Sequence, residues 1–199
     1  MIKNSLKNGA KNTMKTTLVL LSLLITTSSN AEVKNYSMQN QKFQLELPSG
    51  WNDVEDFAGS PLVFFGPENQ DVPRSVITIA PTGEEDKNHF FSEMKKNVAE
   101  YKIGREDWLK GSFGESISYD KYKEEKWSGI ERAHLLGYHY ELPSGKFYER
   151  SSYILCGGNK LFYIKSLVPE QFESTHNALV EQTIKSLKCE KSPIKTAKN

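Results

Sequence analysis

The sequence contains few of the short motifs that indicate catalysis. Its 199 residues include no Gly-x-Ser-x-Gly nucleophile motif, no Walker phosphate loop and no His-x-x-x-His pair. The four histidines do not form a local cluster with carboxylates at metal-ligand spacing; they are His89, His134, His139 and His176. The sequence therefore predicts a protein that is not an enzyme and that binds neither a metal nor another cofactor.

The sequence also has no apolar run long enough to indicate a membrane anchor. The N-terminal run Thr17–Ile25 is far shorter than the roughly 20 residues that cross a bilayer. Four lysines and no acid precede this run, and small residues follow it up to Ala31. This order is typical of a secretory signal peptide, so we expect cleavage after Ala31 and a periplasmic or secreted mature protein. The alternatives are an uncleaved anchor helix and a start at Met14 instead of Met1.

An excess of basic residues is missing from the expected mature chain. Removal of residues 1–31 leaves 22 basic and 25 acidic residues, a net charge of −3 in 168 residues. A mildly acidic chain argues against general binding of nucleic acid. This length suits a single domain, which we place at residues 32–188. Residues 189–199 are basic and lack an apolar period, so we expect a flexible tail there.

Cysteine is scarce, because only Cys156 and Cys189 are present. The absence of a Cys-x-x-Cys motif argues against a redox enzyme, and two cysteines in an exported chain favour one disulfide. A strand at 160–168 would run roughly 27 Å. A helix at 169–187 would return about 28 Å, which brings Cys189 back to Cys156. Two unpaired thiols are the alternative.

Alternating apolar residues predict several strands. Phe43, Leu45 and Leu47 alternate with polar residues, and two denser apolar runs follow at 61–66 and 75–80. Four further strands are expected between residues 117 and 168, joined by short turns that make neighbouring strands antiparallel. The pattern predicts one helix at 87–102, ended by Gly104, and a second that begins at Pro169. We therefore expect an α+β fold: a mostly antiparallel sheet of about six to eight strands flanked by two main helices.

The pentapeptide Glu-Leu-Pro-Ser-Gly occurs twice, at 46–50 and at 141–145. The residues that follow the two copies differ, so the pattern indicates turn chemistry used twice rather than an internal repeat.

The first copy belongs to the segment Phe43–Trp51, FQLELPSGW. With the aromatic strand, helix, four-strand meander and final helix that follow, it resembles the PsbP-like superfamily over about residues 36–187. The resemblance implies a layered α+β sandwich and a binding or assembly role without catalysis.

Candidate binding residues lie in a stretch without clear period and in a nearby turn. Trp108 and Phe113 lie among charged residues that include Arg105, and Trp127 follows in a turn. Aromatic rings beside charges are typical of protein recognition surfaces. The alternative is that these rings cover the edge of the core.

The favoured function of the protein is binding to an envelope or secreted protein. One alternative is a carrier of a small apolar ligand, and a less favoured one is a hydrolase whose site is built from residues distant in the sequence. The sequence does not indicate the oligomeric state.

An intact-mass measurement tests both the leader and the cysteine pair. When the full chain is produced in an exporting host, we expect the purified protein to begin at Glu32. Because a disulfide removes the two thiol hydrogens, its mass should lie that much below the reduced mass of residues 32–199 and should rise on reduction. A protein that begins before Ala31 would contradict the leader. A reduced mass found without reductant would contradict the disulfide.

Overall fold

The computed structural model of the chain describes residues 31–69, 72–85, 90–157 and 160–190, without the side chains of 83–85, 90–91 and 116–117. Residues 1–30 and 191–199 lie outside the described residues. The signal peptide and the basic tail therefore stay predictions. Cys189 and Glu190, which the sequence assigned to the tail, lie within the fold, because both hydrogen-bond or pair with the second strand of the chain.

The described chain contains strands, three α-helices and one short 3-10 turn. In chain order they are β1 (Glu32–Met38), β2 (Gln41–Leu47), β3 (Asn52–Phe57), β4 (Ser60–Phe65), β5 (Val76–Glu85), α1 (Phe90–Glu93), α2 (Val98–Gly111), β6 (Glu115–Tyr119), β7 (Lys123–Trp127), β8 (Ile130–Leu142), β9 (Gly145–Cys156), β10 (Lys160–Pro169), the 3-10 turn Glu170–Phe172, α3 (Glu173–Lys185) and β11 (Lys188–Cys189).

These strands form two antiparallel sheets. The larger has the order β3-β4-β5-β10-β9-β8-β6, and β7 also pairs with β8. The smaller has the order β1-β2-β11. The α+β class is confirmed. The first strand of the expected meander is two short strands, β6 and β7, which both pair with β8.

Each face of the large sheet is covered in a different way. Side chains of a strand alternate between faces, so Ile154 of β9 points to one face and Glu149 to the other. The face that carries Ile154, called the α3 face, packs against α3 and the small sheet through the largest apolar cluster. The face that carries Glu149, called the α2 face, packs against α2 through a cluster of four buried residues: Leu109, Tyr138, Tyr140 and Phe147.

The two copies of the pentapeptide form different turns, as the sequence indicates. After the first copy the chain leaves the small sheet and enters the large one, with the Trp51 amide donating to the Pro48 carbonyl at 3.2 Å. The second copy closes the β8–β9 hairpin. A shared turn composition therefore serves two topologies, and an internal repeat is not needed to explain it.

The structure corrects the expected first helix. The chain forms α1 and then, after a short turn, α2, which continues past Gly104 to Gly111. The expected start of this helix, at residues 87–89, lies outside the described residues. Only Leu109 of α2 is buried, so α2 lacks the apolar stripe by which helices are found in sequences.

The disulfide between Cys156 and Cys189 joins the end of β9 to β11, with the two Cα atoms 5.3 Å apart. Cys156 is fully buried in the cluster on the α3 face. The bridge therefore ties the large sheet to the small one across their shared core. It closes a loop with a sequence separation of 33 residues.

Removal of the bridge should lower the stability of the whole fold. We expect Cys156→Ala/Cys189→Ala to reduce the free energy of unfolding by about 3 to 4 kcal/mol, because the unfolded chain regains the entropy of a loop of this length. Urea titration of the oxidised protein and of the double variant measures the difference. The reduced wild-type protein is the matched control. A loss below about 1 kcal/mol would contradict the proposed contribution.

Candidate functional site

A buried ion pair attaches α2 to the large sheet. The Arg105 guanidinium donates from Nη2 to Glu149 Oε2 at 3.2 Å and from Nε to the Tyr138 hydroxyl at 2.6 Å. The Glu149 side chain is 2% exposed and that of Arg105 is 18% exposed. A carboxylate removed from water needs such a partner, so the pair fixes the position of Arg105 above β8 and β9.

Buried tyrosines extend this network. Tyr140 donates to Glu149 Oε2 at 3.4 Å. Burial first, and then repulsion from the Glu149 carboxylate, raises the pKa of both Tyr138 and Tyr140 above its usual range. Burial likewise raises the pKa of Tyr101, which shares a 3.0 Å hydrogen bond with Ser151. The phenols therefore stay neutral at ordinary pH and contribute hydroxyl groups, not charges.

This network is enclosed. Tyr138 is 0% exposed and Glu149 is 2% exposed, and Glu149 Oε1 has no hydrogen-bond partner among the described atoms. A substrate could not contact these groups without displacement of α2. The arrangement is thus a positioning network for the helix above it.

Trp108 lies directly above the ion pair. The Arg105 guanidinium carbon is 4.3 Å from the centroid of the Trp108 ring, and the ring packs edge-to-face on Tyr140 at 5.7 Å. Trp108 is nevertheless 41% exposed. One side of the indole is therefore packed against Arg105 and Tyr140, while the other side is exposed to solvent.

Phe113 is the most exposed large apolar residue of the described chain, with 88% of its surface accessible. It follows the end of α2 with φ at +57°. Its amide donates to Lys110 O at 3.1 Å, and the Gly114 amide donates to Leu109 O at 2.9 Å. These two bonds define a Schellman motif, in which the left-handed position is usually glycine.

The glycine of this motif stands one position later. A Cβ on Gly114 would lie 2.6 Å from the Glu141 carbonyl oxygen and 2.7 Å from Leu109 Cδ1, so close packing requires glycine there. At position 113 the chain places a bulky ring in a conformation that costs about 1 to 2 kcal/mol for an L-residue. The ring also stays in water, so folding does not explain the choice.

The four expected binding residues are only partly brought together. Arg105, Trp108 and Phe113 share the C-terminal half and end of α2. Trp127 lies elsewhere: it is 8% exposed in the core on the α3 face, and its indole nitrogen donates to Glu125 Oε2 at 3.3 Å. Composition alone does not separate a turn residue that points inward from one that points outward.

The histidines of the described chain lie in separate hydrogen bonds. His139 Nε2 is 3.1 Å from Glu173 Oε1, and His176 Nδ1 is 2.8 Å from the hydroxyl of the fully buried Ser75. His134 is buried and hydrogen-bonds to Tyr122. Among the described residues no group of three or more metal-ligating side chains comes together. His89 lies outside the described residues.

Two further features bear on the alternatives. A cavity of about 40 Å³ opens on the α3 face and is lined mainly by charged residues, among them Asp120, Arg150 and Glu181. This polar space suits a few water molecules and not an apolar ligand. Within the described ranges, no helix has the length and apolar character needed to cross a bilayer.

The ion pair beneath Trp108 can be tested by a double-mutant cycle. Arg105→Met should lower the free energy of unfolding by about 3 kcal/mol, because it leaves the Glu149 carboxylate buried without its charge partner. Adding Glu149→Gln should restore part of this loss, since the amide carries no charge. Urea titration measures each variant.

A surface arginine supplies the control for this cycle. Arg132 is 51% exposed and lies 4.0 Å from Glu124, so Arg132→Met should cost less than about 1 kcal/mol. If Arg105→Met costs no more than Arg132→Met, the buried pair does not attach α2.

Comparison with known proteins shows the fold and not a close relative. No family model and no curated protein sequence matches the chain. The solution structure of cyanobacterial PsbP (CyanoP) from Synechocystis sp. PCC 6803 matches with a TM-score of 0.57 at 13% identity, covering 82% of this chain and 96% of that one. LpqN of Mycobacterium tuberculosis, described as involved in cell envelope biogenesis, matches with a TM-score of 0.53 at 11% identity, covering 80% and 91%. The chain therefore has a PsbP-like fold.

Proposed function

We propose that this protein is a non-catalytic accessory factor that binds another protein through the α2-end surface, formed by Trp108 and Phe113. The observation that carries the proposal is the Phe113 ring, which is 88% exposed in a left-handed backbone conformation. Both the exposure and the conformation are unfavourable in the isolated protein. A partner that covers the ring recovers the cost of its exposure.

The shape of this surface favours a protein partner over a small ligand. Phe113 projects from the end of a helix, so the apolar pocket that receives it belongs to the partner. Trp108 adds a half-exposed indole whose orientation is fixed by Arg105 and Tyr140. Rigid aromatic anchors lose little conformational entropy on binding, and such residues dominate the energetics of protein interfaces.

The setting of the proposal is the cell envelope or the extracellular space. The Cys156–Cys189 bridge is typical of proteins that fold in an oxidising compartment. The N-terminal pattern of the sequence is typical of an exported chain. The envelope role described for LpqN is consistent with this setting, although a shared fold alone does not transfer a function.

The enclosed network supports a non-catalytic role. Glu149, the buried acid beneath α2, is covered by the helix and paired with Arg105. Ser75 and His176 make a hydrogen bond that resembles a nucleophile and its base, but Ser75 is 0% exposed. General acid–base or nucleophilic catalysis needs groups that reach a substrate.

The substitution Phe113→Gly separates binding from folding. Glycine removes the left-handed penalty but adds unfolded-state entropy, so the free energy of unfolding should stay unchanged or rise by up to about 1 kcal/mol. Partner affinity should fall at least tenfold, as for loss of a central aromatic anchor.

The partner is first identified by photo-crosslinking. A photo-reactive phenylalanine is introduced at position 113 in the native host, and the crosslinked partner is identified by mass spectrometry. Calorimetry with the purified partner then gives the dissociation constant.

Ile103 supplies the matched control, since it is 59% exposed on the same helix without a strained backbone. Ile103→Ala should leave the affinity within about twofold. Capture alone does not support the proposal; the purified partner must bind the wild-type protein and lose affinity for Phe113→Gly. Equal affinities for the wild-type protein and Phe113→Gly would exclude this surface.

A further inference from the structure

The small sheet ends at a strand whose outer edge is open. Among the described residues, β1 pairs with β2 alone, over the seven residues Glu32–Met38. Two bonds of β2 show which of its backbone groups point away from β1. The Lys42 carbonyl oxygen accepts from the Glu190 amide at 2.9 Å, and the Glu46 amide donates to Ser186 Oγ at 2.8 Å. Lys42 and Glu46 are therefore bonded on the side of β2 that faces β11 and the end of α3.

The open side of β1 follows from these two bonds. Residues that face each other in an antiparallel pair either both bond across the pair or both point away from it. Ser37 lies opposite Lys42, and Val33 lies opposite Glu46. The backbone groups of Val33, Ser37 and the intervening Asn35 therefore point outward, and all three residues are exposed and uncharged. Such a row of N–H and C=O groups is a template for another strand.

The other sheet edges of the described chain are protected from pairing. Edge strand β3 carries Asp53, Glu55 and Asp56, and its pairing is interrupted at Asp56, whose φ is +53°. At the other edge of the large sheet, β6 and β7 have irregular registers, and β11 has only two residues. Acids, bulges and short strands are devices that blunt sheet edges. Strand β1 is regular, and the charge of its lysine, Lys34, is compensated by Asp53 at 3.2 Å and Glu32 at 3.5 Å.

A second copy of β1 fits this open edge. In an antiparallel pair centred on Asn35, Val33 of one copy lies opposite Ser37 of the other, and Asn35 lies opposite Asn35. These are the residues whose backbone groups point outward, so each facing pair exchanges both of its hydrogen bonds. In the same register Lys34 lies opposite Tyr36, and no two like charges face each other across the strands.

The acids near Tyr36 favour this arrangement. The Tyr36 hydroxyl donates to Asp53 Oδ2 at 3.1 Å. Burial first, and then the carboxylates of Asp53, Glu32 and Glu55, raise the pKa of Tyr36, because these acids lie near its hydroxyl. Within the described residues, Lys34 is the cation that forms ion pairs with this group. Lys34 of a second copy, opposite Tyr36, brings another positive charge toward it.

We infer that the protein forms a homodimer in which the β1 strands of two copies pair antiparallel about Asn35 and join the two small sheets into one. The inference is independent of the proposed function, because the small sheet covers the α3 face, whereas α2 packs on the opposite face. The dimer presents two α2-end surfaces, so it binds a partner with paired sites more tightly than a single copy does.

Opposite charges at position 35 test the inference. Because Asn35 lies opposite itself, Asn35→Lys places two ammonium groups together and Asn35→Glu places two carboxylates together. Sedimentation velocity of the oxidised protein over a range of concentrations should show a dimer for wild type and a dimer at least tenfold weaker for either variant. An equimolar mixture of the two variants should restore the dimer, which a variant that fails to fold would not do. Ser144→Lys, in the exposed β8–β9 turn, is the control and should dimerise like wild type.

Each other result overturns the inference. A wild-type protein that is monomeric at every concentration would leave the edge to a strand of another protein. A dimer that survives Asn35→Lys would place the contact elsewhere, and a mixture that stays monomeric would exclude the register. Phe113→Gly should leave the dimer unchanged; a dimer lost in this variant would assign the contact to the α2-end surface. The proposed function fails only in the affinity measurement with the captured partner, so the two proposals are distinguished.

Discussion

The ion pair between Arg105 and Glu149 determines where α2 lies, and the exposed aromatic surface depends on that position. The helix has a single buried apolar residue, Leu109, so hydrophobic burial alone provides little attachment. A buried carboxylate without its arginine would be strongly unfavourable, which makes displacement of the helix costly. The tyrosine hydroxyls add directional bonds that apolar packing lacks. This polar attachment specifies one orientation of α2 and therefore one direction for Trp108.

The opposite face of the sheet follows a different principle. Fully buried side chains from both sheets and α3 pack together there, among them Phe43, Ile154, Phe162, Ile164 and Leu187. Such packing is strong but not directional. The disulfide lies within the same cluster and links its two sheets. Global stability thus resides on the α3 face, whereas the α2 face is organised by a few polar contacts and presents the candidate surface.

The parts predicted from the sequence are those whose burial follows a simple period. The alternation of apolar and polar residues predicted strand β2. The similar lengths expected for the strand and the helix between the two cysteines predicted that Cys156 pairs with Cys189, and the disulfide confirms it. The predicted helix at 87–102 covers only the start of α2, and the rest of α2 was missed because its inner side consists of arginine, tyrosine and tryptophan rather than an apolar stripe. Strand β3 was missed because it is an edge strand rich in exposed acids. Charges of this kind protect a sheet edge from unwanted pairing but remove the alternation that indicates a strand.

The position of Phe113 is the strongest indication that the α2 end is used. Gly114 is fixed by its contact with β8, but no comparable packing constrains residue 113, whose side chain lies almost entirely in water. Glycine at 113 would relieve the backbone and remove an exposed ring without a packing loss. A residue that is unfavourable by both measures, at a point where the fold permits a better one, supports the proposal of a contact outside the chain. Trp127 shows the contrast, since its ring is buried and its indole is hydrogen-bonded within the fold. The same composition of aromatic and charged residues is thus buried in the core at the turn of Trp127 and exposed to solvent at the end of α2.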